Sequence, residues 1–270
     1  MIKALVSLNA DLASSIALRY ACQLANIIEM DLKTMHVEDA VQKGSPPGSG
    51  WVRRTWENAM LKSGEVEIGQ LIQAERLSYP ALRAPKMVVG DREDEILHET
   101  QKESYDLFIE GALHTFTAAN FYNKIRSKLY RHTPCPVIMV KNLVSLEKIV
   151  IVFNEEAEFK RLVATFLKIF KKATIGLDLM YYQFTESEEE PPQDSNEDAD
   201  RILHNARQIL MEAGRQTGEI RSFRGLPEKL SELLRDYGLV VSPFRRTLSK
   251  KGLLLDFLSR IPSPILLCWQ

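Results

Sequence analysis

The sequence predicts an α/β fold written twice, each copy five short strands alternating with four helices. Three observations carry this expectation. Short apolar runs recur between amphipathic helical stretches in the same order in both halves. The first helix of each half has the same spacing: Ala17, Ala21, Leu24 and Ile28 in one, Leu162, Phe166, Ile169 and Ala173 in the other. Each half closes on a Pro-x-Pro corner followed by an apolar run, "TPCPVIMV" and "IPSPILLC". At 270 residues the chain has room for two such domains, each with its own core.

The first copy reads as follows. Lys3 to Asn9 is a continuous apolar run, as in a strand covered on both faces. Ser14 and Ser15 are candidate helix caps, and the i, i+4, i+7, i+11 apolar positions make one helix face. Leu32 to Val37 is the next strand. Strand, helix and strand at this close spacing call for a right-handed crossover and a parallel sheet. "VQKGSPPGSG" is a loop by its Gly, Pro and Ser content. A long polar helix is expected from Trp51 to Leu77, a strand from Pro85 to Asp91, a helix over "REDEILHETQKE" and a strand from Tyr105 to Gly111. "AANFYNKIRSKLYRH" reads as one helix, with Arg131 and His132 at the negative end of its dipole. Pro134 cannot continue that helix, and Pro136 opens the fifth strand, Val137 to Val140, where no ladder donor is needed. Cys135, held between the prolines, is a packing residue in this reading.

The second copy repeats the order. "EKIVIVFN" matches "IKALVSLN", and "LDLMYYQF" matches the second strand. Glu186 to Asp198 is a charged, proline-bearing segment that suits a loop without fixed structure. A helix follows, ended by Gly214. Then come "GEIRSF", the helix "LPEKLSELLRD", the strand "GLVVS", the helix "KKGLLLDFLSR" and the closing corner. The copies divide as residues 1–142 and 146–270.

Composition excludes several classes. A net charge of −1 makes no global field for nucleic acid or a membrane, so neither is expected as a partner and any such binding would need a local patch. No apolar run approaches the roughly 20 residues of a spanning helix, and the amino terminus lacks the features of a signal peptide. Cys22, Cys135 and Cys268 are too few and too scattered for a disulfide framework or a zinc site, and are expected buried and reduced in a cytoplasmic protein. The five histidines show no metal-ligand spacing, and there is no Gly-x-Ser-x-Gly and no intact P-loop. The chain is therefore expected not to be an enzyme.

Taken in order, "KALVSLN…AL…A…LA", "MHVED", "VVGDREDEIL…YDLFIEG" and "RHTPCPVIMV" resemble the universal stress protein family, over the whole first half and more weakly over the second. The resemblance implies a tandem member: two doubly wound five-stranded parallel-sheet domains, strand order 3-2-1-4-5, forming a pseudo-dimer within one chain. One branch of the family binds ATP through a Gly-x2-Gly-x9-Gly-[Ser/Thr] loop after the fourth strand, where backbone N–H groups and a helix N-terminus hold the phosphates. This chain departs from that loop. Gly111 is kept, but His114 stands near the second glycine, and Asn123 and Lys124 stand where Gly-[Ser/Thr] is required. Pro243 replaces the first glycine in the second copy. The acidic residue that ends the first strand in nucleotide-binding members is Asn9 in one copy and Asn154 in the other.

Two candidate sites follow. Asn9, Val37, Gly90, Asp91, Gly111, His114, Asn123 and Lys124 would form a remodelled small-ligand pocket, or its vestige, at the carboxyl ends of the strands. Arg245, Arg246, Lys250 and Lys251, with donors from Thr247 and Ser249, would form an anion site, or simply a solvated basic loop. The expected function is non-catalytic binding and signalling under stress, through a protein partner, without a cofactor. The alternatives are an ATP- or AMP-binding sensor, or a binder of small anions. The two closing strands are expected to face one another about a pseudo-twofold axis, because paired edges protect each other.

Overall fold

The computed structural model describes residues 1–39, 49–155, 157–185, 197–246 and 252–270. The chain is α/β. Its contacts form two compact units, Met1–Gly111 with Ser127–Cys135, and Ala112–Arg126 with Pro136–Gln270.

The first unit holds β1 (Ile2–Leu8), α1 (Leu12–Ala25), β2 (Met30–Asp39), α2 (Trp51–Arg76), β3 (Lys86–Gly90), α3 (Arg92–Lys102) and β4 (Leu107–Gly111). Its strands run parallel in the order β3-β2-β1-β4. β1 is buried from Ala4 to Leu8, as its unbroken apolar run requires. The α1 face of Ala17, Leu18, Ala21 and Leu24 is fully buried. The cap of α1 is Asp11, whose carboxylate accepts from the Ser14 N–H at 2.7 Å. Ser14, expected as a cap, instead accepts the Asn9 N–H on its hydroxyl at 2.8 Å and so tethers the strand end to the helix.

The single helix expected over 118–132 is two: α4 (Ala118–Ile125) and α5 (Lys128–His132). Ser127 adopts an extended ψ of 156° and breaks the run. The compact units also change hands at this break, α4 counting with the second and α5 with the first.

The second unit adds β5 (Val137–Val140), β6 (Lys148–Phe153), α6 (Phe159–Phe170), β7 (Gly176–Phe184), α7 (Glu197–Glu212), β8 (Ile220–Gly225), α8 (Pro227–Leu233), β9 (Leu239–Phe244), α9 (Leu253–Arg260) and β10 (Ile265–Trp269). Within it the strand order is β5-β10-β9-β6-β7-β8. The β10-β9-β6-β7-β8 part is the expected 3-2-1-4-5 order read from its other edge. The registers of the copies agree: Ile2 faces Met30 and Lys148 faces Gly176, the partner in each case 28 residues on. Gly214 ends α7 with φ 81°, a left-handed conformation that glycine adopts without steric cost.

The closing strands meet as expected. β5 and β10 pair antiparallel, Ile138 facing Leu266, with Val137 opposite Leu267 and Met139 opposite Ile265. Ile138 and Leu266 are equivalent positions in the repeat, so a local twofold passes between them. All of these side chains are fully buried. Each strand covers the apolar edge that the other would expose.

Candidate functional site

The carboxyl ends of β1 and β2 carry a polar cluster. A crevice of about 320 Å³ opens there, lined by Asn9, Asp11, His36, Val37, Glu38, Asp39, Glu67 and Arg92. β2 alternates its side chains, so His36 and Glu38 share one face. The register sets His36 opposite Leu8, and its Nδ1 lies 2.8 Å from the Leu8 carbonyl. Its Nε2 lies 3.1 Å from Glu38 Oε1. Both neighbours are acceptors, so the ring is clamped at both ends. Helix α2 closes over the carboxylate at Gly64, where an added Cβ would stand 2.4 Å from Glu38 Oε1.

Arg92 is the other anchor. It opens α3, and its guanidinium donates to Ser7 Oγ at 2.8 Å and to Glu110 Oε2 at 2.9 Å. Glu110, on β4, is buried, and a buried carboxylate needs such a partner. Tyr130 of α5 completes the group. Burial, and then the adjacent Glu110, push its phenol well above the ordinary range. Ser7, Arg92, Glu110 and Tyr130 thus tie β1, α3, β4 and α5 together beneath the crevice.

The charge on this surface is mostly negative. Asp11, Glu38, Asp39 and Glu67 line it, and the one lysine or arginine among its described lining residues, Arg92, already bonds Glu110. Both helix N-termini at the crevice are capped by acids: Asp11 caps α1, and at α3 Asp91 accepts the Asp94 N–H at 3.0 Å while Glu93, Asp94 and Glu95 fill the first turn. A Cβ at Gly111 would lie 2.1 Å from the Ala13 carbonyl oxygen, so the glycine serves the close approach of β4 to α1.

Of the residues expected from sequence, Asn9 and Val37 line the crevice, and Gly90 and Asp91 stand at the β3–α3 turn beside Arg92. His114, Asn123 and Lys124 belong to the second unit, His114 and Asn123 as exposed side chains. In the basic loop, the Arg246 guanidinium stacks over the Trp269 ring at 4.5 Å, and Arg245 is exposed. Thr247, Ser249, Lys250 and Lys251, and the acidic stretch 186–196, lie outside the described residues. Sequence reasoning missed His36, Glu38, Arg92 and Glu110. The available signals were the i, i+2 pair in "MHVED" and the charge that closes the apolar run "LFIEG".

It also missed Lys141, directly after β5. This lysine is 1% exposed. Its ammonium donates to the Leu258 and Ser259 carbonyls at 2.7 and 2.9 Å, in the last turn of α9. It also lies over the Phe116 and Phe121 rings. A cation at a helix C-terminus is favourable, while burial pulls its pKa down to about 7.

The cysteines are as expected: all three are buried and unbridged. Burial, and then Glu75, push the Cys22 thiol up to about 12. Among the described residues no group of acids, histidines and cysteines could hold a metal ion.

No protein-family model matches the sequence, and neither does any curated protein. Solved structures do match. A universal stress protein from Archaeoglobus fulgidus DSM 4304 superposes with a TM-score of 0.66 at 15% identity, over 99% of this chain and 96% of that one. A functionally unknown protein from Pseudomonas aeruginosa PAO1 superposes with a TM-score of 0.61 at 18% identity, over 99% and 92%. At these identities the likeness is one of fold, and the fold is that of universal stress proteins in a double-length chain.

Proposed function

We propose that this chain, which has the universal stress protein fold, is a stress-response protein that acts by non-catalytic binding and signalling and holds no ATP tightly. The observation that carries the reading is the chemistry at the strand ends of the first unit. A phosphate there would meet Asp11, Glu38, Asp39 and Glu67. It would find Arg92 bonded to Ser7 and Glu110, and an α3 N-terminus already filled by acids. Backbone N–H groups without glycines around them cannot close on a phosphate, and Gly111 is committed to packing against Ala13.

The second unit supports the same reading by different means. The equivalent strand ends are packed with aromatic rings, Tyr182 and Phe184 at 4.7 Å and each within 5.4 Å of Phe257. The chain binds partners, and cytoplasmic placement fits its three unbridged thiols.

The test is chemical. Protein purified rapidly from cells, denatured and analysed by anion-exchange chromatography, should release well under one nucleotide per ten chains. Stoichiometric ATP or AMP would overturn the proposal.

A further inference from the structure

The amino-terminal third of α2 carries an apolar face that the fold does not use. The stripe that packs α2 onto its unit is Met60, Gly64, Ile68 and Ile72. None of residues 51–59 is buried. Yet this stretch is amphipathic: at about 100° per residue, Trp51, Val52, Thr55, Trp56 and Ala59 share one side. The centre of that side is turned roughly 170° from the centre of the buried stripe, so it is no continuation of the core. Two of the chain's three tryptophans sit on it, Trp51 exposed and Trp56 half-buried at its edge. Trp51 is 77% exposed.

The cations are placed to match. Arg53 and Arg54 stand on the two flanks of this apolar arc, both exposed, Arg53 with Glu57 at 2.9 Å. The first turn has no acidic residue, and its cap, Gly50, offers no side chain to the leading N–H groups. The helix end therefore presents its positive pole with two guanidiniums beside it. Indole rings with arginines at their flanks are the arrangement of a helix lying in a lipid interface, rings at the acyl boundary and guanidiniums reaching back to phosphates.

We propose that this helix end docks the protein reversibly on an anionic lipid surface. The net charge of −1 makes such binding depend on a local patch, and this is one. Two tryptophans and two arginines give weak, salt-sensitive adsorption, not anchoring.

The test is flotation of the full chain with vesicles of phosphatidylcholine alone or with about 30% phosphatidylglycerol, at low and high salt. The proposal expects flotation with the anionic vesicles only, a blue shift of tryptophan fluorescence, and loss of both at high salt. Trp51→Glu should reduce flotation about tenfold while keeping or raising the melting temperature, because an acid suits a helix N-terminus. Arg54→Glu should weaken it similarly. No flotation at low salt, equal flotation with neutral vesicles, or an unchanged Trp51→Glu would overturn the proposal. So would a concentration-dependent dimer that Trp51→Glu dissolves in the absence of any flotation, which would assign the face to a second copy of the chain.

Discussion

The strand ends of the two copies occupy equivalent places and hold opposite chemistry. Register makes the correspondence residue by residue. Where the first copy has Ser7, His36, Glu38, Arg92 and Glu110, the second has Val152, Tyr181, Gln183, Pro227 and Ser242. The first copy holds its elements with buried charge and hydrogen bonds. The second holds them with the Tyr182, Phe184 and Phe257 rings. One backbone plan thus accepts either solution, since the plan rests on the apolar strands and not on what decorates their ends. The first copy's strand ends open on a polar crevice, while the second copy's bring aromatic rings together. The difference teaches that the chemistry at the strand ends is separable from the fold.

The largest expected effect attacks what the copies share. Ile138→Asp or Leu266→Asp places an unpaired carboxylate in the fully buried β5–β10 contact. Each should cost several kcal/mol, enough to unfold the second unit or lower its melting temperature by more than about 10 °C. A soluble variant with unchanged melting, read by circular dichroism, would show that the local twofold is not where the copies are held.

The next contrast is polar against apolar. Glu110→Gln leaves the Arg92 guanidinium without its charge partner and should cost about 2–3 kcal/mol, below the figure for a fully buried pair because Arg92 is partly exposed. The equivalent change, Ser242→Ala, removes only a hydroxyl that donates to the Pro243 carbonyl, and should cost about 1 kcal/mol or less. Urea unfolding of the two variants decides it. Equal costs would mean that the buried pair is no more important to its copy than the hydroxyl.

Lys141 and its counterpart Trp269 give a contrast that depends on pH. Folding holds the lysine near a pKa of about 7, through burial, and unfolding returns it to the usual lysine range. Above about pH 7 the unfolded chain therefore binds a proton that the folded chain does not. Stability contributed by this group should rise as pH rises from 7 toward 10. The advantage of wild type over Lys141→Met should grow accordingly in melting curves at pH 6.5 and 9. An advantage that shrinks with pH would show that the α9 carbonyls hold the ammonium charged against burial.

The smallest contrast is at the first helices. Asp11 caps α1 with its side chain, whereas Glu158 at the start of α6 makes no such bond. Asp11→Ala should cost about 1 kcal/mol, and Glu158→Ala close to nothing.

Much of the fold was legible because it is written in apolar periodicity, and the repeat wrote it twice. Strands such as "VIMV" need no partner to be recognised. The break between α4 and α5 was not legible, because Arg126 and Ser127 are neither proline nor glycine and the apolar spacing runs through them. The cap of α1 was assigned to Ser14 or Ser15 since both suit a cap, while the geometry uses Asp11 three residues earlier. The polar network was hidden for a different reason. Arg92 meets Ser7 across 85 residues and Glu110 across 18, distances set by sheet register and invisible to local spacing. Gly111 is kept from the loop pattern, and sequence does not show that its backbone approaches Ala13 too closely for a Cβ.

The proposal at the centre of this account is that neither set of strand ends holds a nucleotide tightly, one being acidic and the other carrying aromatic rings. Titration calorimetry of the full chain with MgATP tests this most directly. The account predicts a dissociation constant no tighter than roughly 1 mM, a binding free energy of about −4 kcal/mol. A micromolar constant with one ATP per chain would contradict it.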